Sequence, residues 1–378
     1  MLKTSRNILN KSNGGSESQI KARKRVWVGM SGGVDSSVSA YLLKKAGYDV
    51  TGVFIKVWQP ENGVCTWKDE RRDAMRVAAV LDIPFLTFDF SEKYKKEVVD
   101  YMISEYKEGK TPNPDVMCNR HIKFGSFLDE ALKQGVDFIA TGHYAQNING
   151  SLVEGADMNK DQSYFIWTLG LGDLKHILFP VGHLQKNEVR KIAEKAKLPI
   201  FDKKDSQGIC FLGHVDMKEF LKEFIETKKG DVLDIKGNVV GEHDGALLYT
   251  IGERHGFTMH VHTADSHPQF VLAKDVTKNT LTVGEYDGEH KKETEEILPV
   301  EARLRDINWA KGDSPDLSLQ YSARSRYRQE KQSCRIRKTA DNPGEWKVIF
   351  DTPQKNLASG QSLVIYDGKE CLGGAIIV

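Results

Sequence analysis

Long apolar runs are absent from this sequence of 378 residues. A helix that crosses a membrane needs at least ~18 consecutive apolar residues, and the sequence has no such run. The length corresponds to two or three domains of ~150 residues each, and 39% of the residues are hydrophobic, which is enough to form full cores. We therefore expect a globular cytoplasmic protein without a membrane partner.

Cysteine is scarce, and no CxxC pair is present. The five cysteines are Cys65, Cys118, Cys210, Cys334 and Cys371. An odd and widely spaced set differs from the disulfide framework of a secreted protein, and without a CxxC pair a zinc knuckle is not expected. We expect a reducing compartment. A single cysteine is usually a small buried hydrophobic residue, and we assign that role to Cys65, Cys334 and Cys371.

An excess of charge of one sign is also missing. Lys and Arg number 54 against 53 Asp and Glu, for a formal net charge of +1. A nucleic-acid partner would therefore need a local basic patch. Residues 321–338 form such a patch, with seven basic residues and one acidic residue. On a strand, Arg324, Arg326 and Arg328 would share one face and contact phosphates, with Tyr327 available for stacking; a solvated edge strand is the alternative.

The N-terminal residues are the other basic segment. Residues 1–25 carry seven basic residues and one acid, Glu17. We predict a flexible basic tail over residues 1–24, because no clear amphipathic stripe is present. A mitochondrial transit segment is the alternative.

Short apolar runs alternate with amphipathic segments in the first half of the chain. We predict strands over 26–30, 49–58, 84–90 and 137–142, and helices over 36–46, 69–82 and 120–134, with another helical stripe between Val98 and Tyr106. This alternation predicts an α/β fold with a doubly wound parallel sheet, whose ligands bind at the carboxyl ends of the strands.

The pattern changes to short strands and turns after about residue 213. We predict a catalytic domain over 25–213, a small β-rich central domain over 214–288 and a C-terminal β-barrel over 289–378. The charged stretch 288–296 is predicted to be a solvated linker.

The sequence Ser31-Gly32-Gly33-Val34-Asp35-Ser36 follows the first predicted strand. Two glycines allow a backbone to approach a ligand closely, and a helix N-terminus attracts anions. The loop therefore predicts a phosphate site, although the lysine of a Walker A loop is absent. A carboxylate inside a phosphate loop is suited to a Mg²⁺ contact, so Asp35 is our candidate. We expect no metal site built from protein ligands alone.

Two cysteines lie in segments punctuated by Gly or Pro. Cys118 follows Thr-Pro-Asn-Pro-Asp-Val-Met, in which Asp115 is three residues away, and Cys210 follows Gln-Gly-Ile. If a helix starts at Asn119, its positive end would stabilise a thiolate at Cys118. The surroundings favour joint action of Cys118 and Cys210 over core packing.

Seven motifs occur in one order along the chain. They are GMSGGVDSSV (29–38), GKTPNPDVMCNRHIKFG (109–125), ATGHY (140–144), NKDQSYF (159–165), LFPVG (178–182), KDSQGICFLG (204–213) and YTIGERHG (249–256). The sequence resembles, from about residue 25 to its end, the tRNA-specific 2-thiouridylase family of the PP-loop ATP pyrophosphatase superfamily. The family places sulfur at the 2-position of the wobble uridine of tRNA. The paired TPNP-D-x-x-C and GICF motifs are specific within the superfamily.

The resemblance implies roles for individual residues. It implies ATP binding by Gly29, Met30, Ser31, Gly32, Gly33, Val34, Asp35, Ser36, Ile55 and Gly142. It implies that Cys210 carries a persulfide sulfur, that Cys118 is the partner catalytic cysteine and that Asp115 is a general acid or base. It implies tRNA contacts by Asn113, Pro114, Asp115, His143, Lys160, Asp161, Gln162, Arg326, Tyr327 and Gln361.

The same resemblance implies ATP and Mg²⁺ as cofactors, tRNA as a partner and a donor protein for the persulfide sulfur. We expect a monomer. Glu253 stands where relatives commonly have Gln, Ser359 where Pro is usual, and the loop after Gly256 is not Gly-rich. The alternatives are another PP-loop enzyme, such as an amidotransferase-type synthetase or tRNA lysidine synthetase, and a non-enzymatic RNA-binding protein.

Overall fold

The computed structural model describes residues 23–60, 67–204, 216–260, 267–286, 291–339 and 345–378. The predictions for Cys65, Cys210 and nearly all of the basic tail lie outside these residues. Within the described ranges, no helix combines the length and apolar character that crossing a membrane requires.

Within the described part of residues 23–204, there are eight α-helices and seven strands. The strands are β1 (Arg25–Gly29), β2 (Asp49–Lys56), β3 (Phe85–Asp89), β4 (Phe138–Ala140), β5 (Ala145–Ile148), β6 (Ser151–Glu154) and β7 (Ile177–Leu178). The α-helices described here are α1 (Val34–Lys45), α2 (Trp67–Val80), α3 (Ser91–Tyr94), α4 (Tyr101–Lys107), α5 (Pro114–Cys118), α6 (Phe127–Lys133), α7 (Leu171–Leu174) and α8 (Lys186–Lys195). π-helical turns at Lys95–Asp100 and Asn119–Ser126 join α3 to α4 and α5 to α6.

A parallel sheet with strand order β3-β2-β1-β4-β7 forms the centre of this part. It confirms the predicted α/β parallel sheet and adds the short strand β7. Val26 and Val28 of β1 pack in one core cluster, while Trp27 packs in another on the opposite face. Such a strand, buried on both faces, is typical of parallel sheets. Because β1 and β4 are neighbours, the turn after β1 lies beside Gly142.

The helix predicted over 120–134 begins earlier than expected. The helical run starts at Pro114 and continues through the π-helical turn to Lys133. Asn113 caps this start, because its side chain accepts a hydrogen bond from the Val116 N–H at 3.2 Å, and proline is well suited to the first helical position. Cys118 is therefore inside a helix, and the prediction that it precedes a helix N-terminus is wrong.

The central region is a five-stranded sheet with strand order β10-β9-β8-β12-β11. Its elements are α9 (Met217–Lys222), β8 (Gly230–Leu233), β9 (Val239–His243), β10 (Phe257–Met259), β11 (Gln269–Asp275) and β12 (Thr280–Glu285). The predicted linker over 288–296 is wrong in its described part, which forms helix α10 (Lys291–Ile297). Thr294 of this helix is fully buried, and Leu298 just beyond it packs with Leu272 and Tyr286.

The C-terminal region is a closed six-stranded barrel, as predicted. Its strands are β13 (Glu301–Trp309), β14 (Tyr321–Arg324), β15 (Gln332–Lys338), β16 (Trp346–Phe350), β17 (Ser362–Asp367) and β18 (Glu370–Ile377). They pair in the order β13-β16-β15-β14-β17-β18, and β18 returns to β13. Cys334 and Cys371 are buried in and beside the barrel, which confirms their structural assignment. Burial raises the pKa of each thiol to about 12.

The barrel is joined to the first part of the chain through strand pairing and buried polar contacts. Strand β18 pairs with β6 at Glu370 and Val153. Beside this junction, Arg324 forms an ion pair with Asp161 and hydrogen bonds with the hydroxyl of Tyr366. Although burial opposes its charge, Tyr366 and Asp161 raise the pKa of Arg324.

The predicted alternation of Arg324, Arg326 and Arg328 on one strand face is wrong. Strand β14 ends at Arg324, which is only 5% exposed. Arg328 has a φ of 65° and lies in the following turn. A turn replaces the strand because Gln329 folds back, its side-chain oxygen accepting hydrogen bonds from the N–H groups of Ser325 and Arg326.

Candidate active site

The turn between β1 and α1 has the geometry of a phosphate loop. Gly33 is the extended N-cap of α1, and the helix begins at Val34. Gly32 has a φ of 75°, and a Cβ at this position would overlap the carbonyl oxygen of Glu70. The hydroxyl of Ser36 donates to the Gly33 carbonyl oxygen at 3.3 Å and accepts from the Ser31 N–H at 3.3 Å. The free N-terminal N–H groups of the helix are therefore presented by a constrained, glycine-dependent turn.

The other residues predicted to bind ATP lie around this turn. Gly29 ends β1, Met30 follows it with its side chain buried, and Ile55 lies near the carboxyl end of β2. Gly142 follows β4 and touches the loop: a Cβ there would lie 2.6 Å from the Ser36 nitrogen and 2.9 Å from the Asp35 carbonyl carbon. Only glycine fits at this contact, and the structure thus brings the two sequence motifs together.

The Asp35 carboxylate is held by two side chains that lie far away in sequence. The hydroxyl of Tyr144 donates a hydrogen bond to Asp35 Oδ1 at 2.7 Å. Lys186 Nζ reaches both carboxylate oxygens, at 2.7 Å and 2.8 Å. A single carboxylate such as Asp35 is sufficient for a Mg²⁺ contact, because proteins usually supply Mg²⁺ with one or two carboxylates while phosphates and water provide its other ligands. In the described part of the chain, no group of three or more His, Cys, Asp or Glu side chains could hold a metal ion.

A second lysine contacts the backbone of the loop. Lys203 Nζ donates to the carbonyl oxygen of Gly32 at 3.1 Å and forms an ion pair with Asp73 at 2.8 Å. Lys186, Lys203 and Tyr144 were not among the site residues predicted from the sequence. The available signal was that Tyr144 ends the motif ATGHY and that Lys186 and Lys203 lie near other motifs. The partners are 109 to 171 residues apart, so spacing could not pair them.

The segment predicted to contact tRNA through Lys160, Asp161 and Gln162 lies between the loop and the barrel. Gln162 accepts a hydrogen bond from the Tyr144 N–H at 3.0 Å. Asp161 is 1% exposed, and its carboxylate is occupied by Arg324, by Ser163 and by the Gly155 N–H. Direct tRNA contact by Asp161 does not fit this burial. Its side chain instead fixes the barrel against the first part of the chain.

A cleft of about 420 Å³ lies where the three parts of the chain meet. Its lining residues are Thr111, Asn113, Tyr164, Thr250, Glu253, Arg326, Tyr327 and Gln361. Four residues predicted from sequence to contact tRNA therefore come together. Tyr327 offers an aromatic face, with its ring centroid 4.7 Å from that of Phe165, and such a face can stack on a base.

Hydrogen bonds between the three parts fix the walls of the cleft. The Thr111 N–H donates to the Ser359 carbonyl oxygen at 2.7 Å, and the Thr111 and Thr250 hydroxyls are 3.2 Å apart. Arg326 donates to the carbonyl oxygen of Ile251. Gly360 lies so close to Thr111 that a Cβ would be 2.9 Å from its backbone nitrogen. The cleft thus depends on the packing of all three parts.

Helix α5 begins at the edge of the cleft and carries two of the predicted catalytic residues. Asn113 both lines the cleft and caps α5. Asp115 is half-buried in the first turn, next to Pro114, and Cys118 is fully buried at the end of the helix. Residues three apart on a helix share a face, and the joint action of Asp115 and Cys118 stays a prediction. Cys210 lies outside the described residues.

His143 is almost completely buried. Its Nδ1 is 2.8 Å from the Thr141 hydroxyl, and its ring packs against Phe124 and Phe179. Burial, with a smaller contribution from Lys123, lowers the pKa of His143 well below its usual range. The ring is therefore neutral at physiological pH, and its contact with tRNA remains a prediction.

Comparisons with known proteins agree with this arrangement. Three family models match in succession: the tRNA methyl transferase HUP domain over residues 24–214, the tRNA methyl transferase PRC-barrel domain over 218–285 and the aminomethyltransferase beta-barrel domain over 300–377. The tRNA-specific 2-thiouridylase MnmA 2 of Geobacillus kaustophilus is 44% identical over 93% of this chain and 94% of its own. The chain belongs to the tRNA-specific 2-thiouridylase family.

Further relatives extend the comparison. The tRNA-specific 2-thiouridylase MnmA of Streptococcus thermophilus is 44% identical over 94% of this chain and 95% of its own. Among solved structures, the U34-tRNA thiolase NcsA from Methanococcus maripaludis is 18% identical, with a TM-score of 0.34, over 55% of this chain and 66% of that chain. The family assignment therefore depends on the sequence identity over 93–94% of the chain.

Proposed function

We propose that the protein transfers sulfur to the 2-position of the wobble uridine of tRNA and uses ATP to activate the base. The observation that carries this proposal is the position of helix α5. Asn113, at its start, lines a cleft built by all three parts of the chain, while Asp115 and Cys118 follow on the same helix. The relatives at 44% identity carry the name of the same activity, and their bacterial origin favours the cytoplasm over a mitochondrial location.

The first step in the proposed reaction is adenylation. The uridine 2-oxygen bonds to the α-phosphorus of ATP, the bond from that phosphorus to the β-phosphate oxygen breaks, and pyrophosphate leaves while the base loses its N3 proton. The loop from Ser31 to Ser36 would hold the phosphates, since helix N-terminal N–H groups bind anions. Asp115 is the candidate acid or base for the proton. Mg²⁺, when bound, would neutralise phosphate charge, and Asp35 is the residue that would hold it.

Sulfur transfer follows from adenylation, because AMP is a better leaving group than the uridine oxygen. Cys210 would carry the sulfur as a persulfide received from a donor protein. The outer sulfur bonds to C2, either directly or as released hydrosulfide, and AMP leaves with the oxygen. Cys118 bonds to the Cys210 sulfur while the bond from that sulfur to the outer sulfur breaks, and the electron pair of the broken bond stays with the outer sulfur. The resulting disulfide needs a two-electron thiol reductant to reset it.

The binding of tRNA is proposed at the cleft. Arg326 and Gln361 would contact the tRNA backbone or base edges, and Tyr327 would stack on a base. Asn113, Pro114 and Asp115 would face the target uridine. His143, Lys160 and Gln162 are retained as candidate tRNA contacts with less support, because the described contacts of His143 and Gln162 are internal.

Mass spectrometry of tRNA tests the proposed function directly. After incubation with ATP, Mg²⁺ and a persulfide donor, we expect the mass of the wobble uridine to increase by the difference between one sulfur atom and one oxygen atom. Omitting ATP should abolish the product. Folded protein that yields no 2-thiouridine under these conditions would contradict the proposal.

Gly142→Ala tests the contact between β4 and the phosphate loop. The new Cβ would overlap the Ser36 nitrogen and push the loop away from its position, so we expect the Kd for ATP to rise at least about tenfold. Isothermal titration calorimetry measures this. Gly172→Ala is the matched control, because open space surrounds that position. An unchanged Kd in Gly142→Ala would show that this contact does not position the loop.

A further inference from the structure

Lys186 lies against the phosphate loop although 151 residues separate it from Asp35. Its Nζ is within 2.8 Å of both Asp35 carboxylate oxygens, and its side chain is 14% exposed. The Asp35 side chain is 30% exposed. The pair is thus partly screened from water, and part of the Asp35 side chain remains accessible to a ligand.

The positive charge of Lys186 does not stabilise the helix in which it lies. Lys186 is the first residue of α8, where a cation is disfavoured by the helix dipole. Its backbone is nevertheless fixed, because the Lys186 N–H donates to Asp157 Oδ2 at 2.9 Å and Gln185 donates to the Ala156 carbonyl oxygen at 2.9 Å. These contacts hold a flexible side chain at one place beside the loop.

We propose that Lys186 binds the β- and γ-phosphates of ATP and neutralises the charge of the departing pyrophosphate, in place of the lysine that this loop lacks. This inference rests on the proposed use of ATP at the loop. Phosphates bound at the N-terminus of α1 would lie beside Asp35, within reach of the lysine that already contacts it. In the protein without nucleotide, Asp35 holds Lys186 ready; when ATP enters, Lys186 exchanges one carboxylate contact for a phosphate oxygen.

The chemical consequence concerns the step that breaks the bond between the α-phosphorus and the bridging oxygen. Negative charge grows on the pyrophosphate as that bond lengthens, and a fixed cation stabilises this charge more strongly in the transition state than in bound ATP. Lys203, by contrast, donates to the Gly32 backbone and pairs with Asp73, so its contacts support the loop itself.

Lys186→Met removes the charge and keeps most of the chain length. We expect pyrophosphate release in the presence of tRNA to slow on the order of 10²-fold, while the Kd for ATP rises by less than about tenfold, since the interaction is strongest in the transition state. Lys186→Arg should recover part of the rate. Lys191→Ala is the matched control, because Lys191 is an exposed lysine on the same helix.

Binding and catalysis are measured separately in this experiment. Calorimetry gives the Kd for ATP, rapid quench gives the rate of pyrophosphate formation, and circular dichroism verifies the fold of each variant. A rate within threefold of wild type in folded Lys186→Met would overturn the inference; should that variant not fold, the same rate in folded Lys186→Gln, which also removes the charge, would overturn it as well. Wild-type protein that forms no pyrophosphate from ATP and tRNA would instead contradict the proposed function.

Discussion

Replacing Cys118 with alanine is expected to abolish formation of 2-thiouridine, with a loss on the order of 10³-fold or more. The proposed reaction leaves a disulfide after each sulfur transfer, and no other thiol in the described residues shares the α5 helix with Asp115. Adenylation precedes the sulfur step, so pyrophosphate release in the presence of tRNA should continue. Mass spectrometry of the tRNA and a pyrophosphate assay on the same reaction distinguish the two steps.

The fold should tolerate this change. Cys118 is fully buried in the cluster that contains Val116, Met117 and Ile122, and alanine removes one sulfur atom without introducing a polar group. Cys334→Ala in the barrel is the control, because it removes a thiol of equal burial far from the proposed chemistry, and we expect normal thiolation. Thiolation above a tenth of the wild-type rate in Cys118→Ala would refute the assigned role.

Cys118 lies at the end of helix α5, so the helix dipole does not favour its thiolate in the way predicted from the sequence. The sequence favoured a thiolate stabilised by a helix N-terminus just after the cysteine, whereas the helix begins at Pro114. The helix dipole therefore offers little help to the sulfur, since its effect is confined to the first turn.

Local features of the chain were predictable from sequence because neighbouring residues determine them. The strand over 26–30, the glycine turn after it and the helix after the turn follow from apolar periodicity and from the conformational freedom of glycine. The motifs that contain Gly32 and Gly142 indicated two segments that meet at the phosphate loop. The closed barrel was likewise indicated by short strands with turn residues between them.

Features that depend on distant partners were not predictable in this way. The sequence predicted Arg324 to be one of three exposed phosphate contacts, but Arg324 is buried and forms an ion pair with Asp161. Lys186 carried no motif of its own, and its importance appears only beside Asp35. The charged segment that forms helix α10 was predicted to be a linker, because the burial of Thr294 that distinguishes a packed helix from a linker is not visible in the sequence. In each case a contact between separate parts of the chain overrides the local pattern.

Arg324→Ala is expected to destabilise the protein by about 3–5 kcal/mol, the cost of leaving a buried charge without its partner. Asp161 and Glu154 are each 1% exposed and lie beside Arg324. In this variant Glu154 still forms its ion pair with Lys331 at 2.9 Å, so Asp161 is the carboxylate that is left without a charged partner. Equilibrium unfolding in urea, followed by tryptophan fluorescence, measures the change in free energy.

The control variants separate the buried pair from a general effect of charge. Arg335→Ala removes an exposed arginine of the same barrel, and surface substitutions of this kind usually change stability by less than about 0.5 kcal/mol. In a double-mutant cycle, Asp161→Asn should reduce the cost of Arg324→Ala, because the buried charge is then removed together with its partner. A cost below about 1 kcal/mol for Arg324→Ala alone would show that the barrel does not depend on this ion pair.

A large cost would explain why a segment matching a tRNA-contacting motif has a buried aspartate. By holding the barrel, Asp161 keeps Arg326 and Tyr327 at the cleft. The next residue, Gln162, contacts Tyr144, whose hydroxyl donates to Asp35 in the phosphate loop.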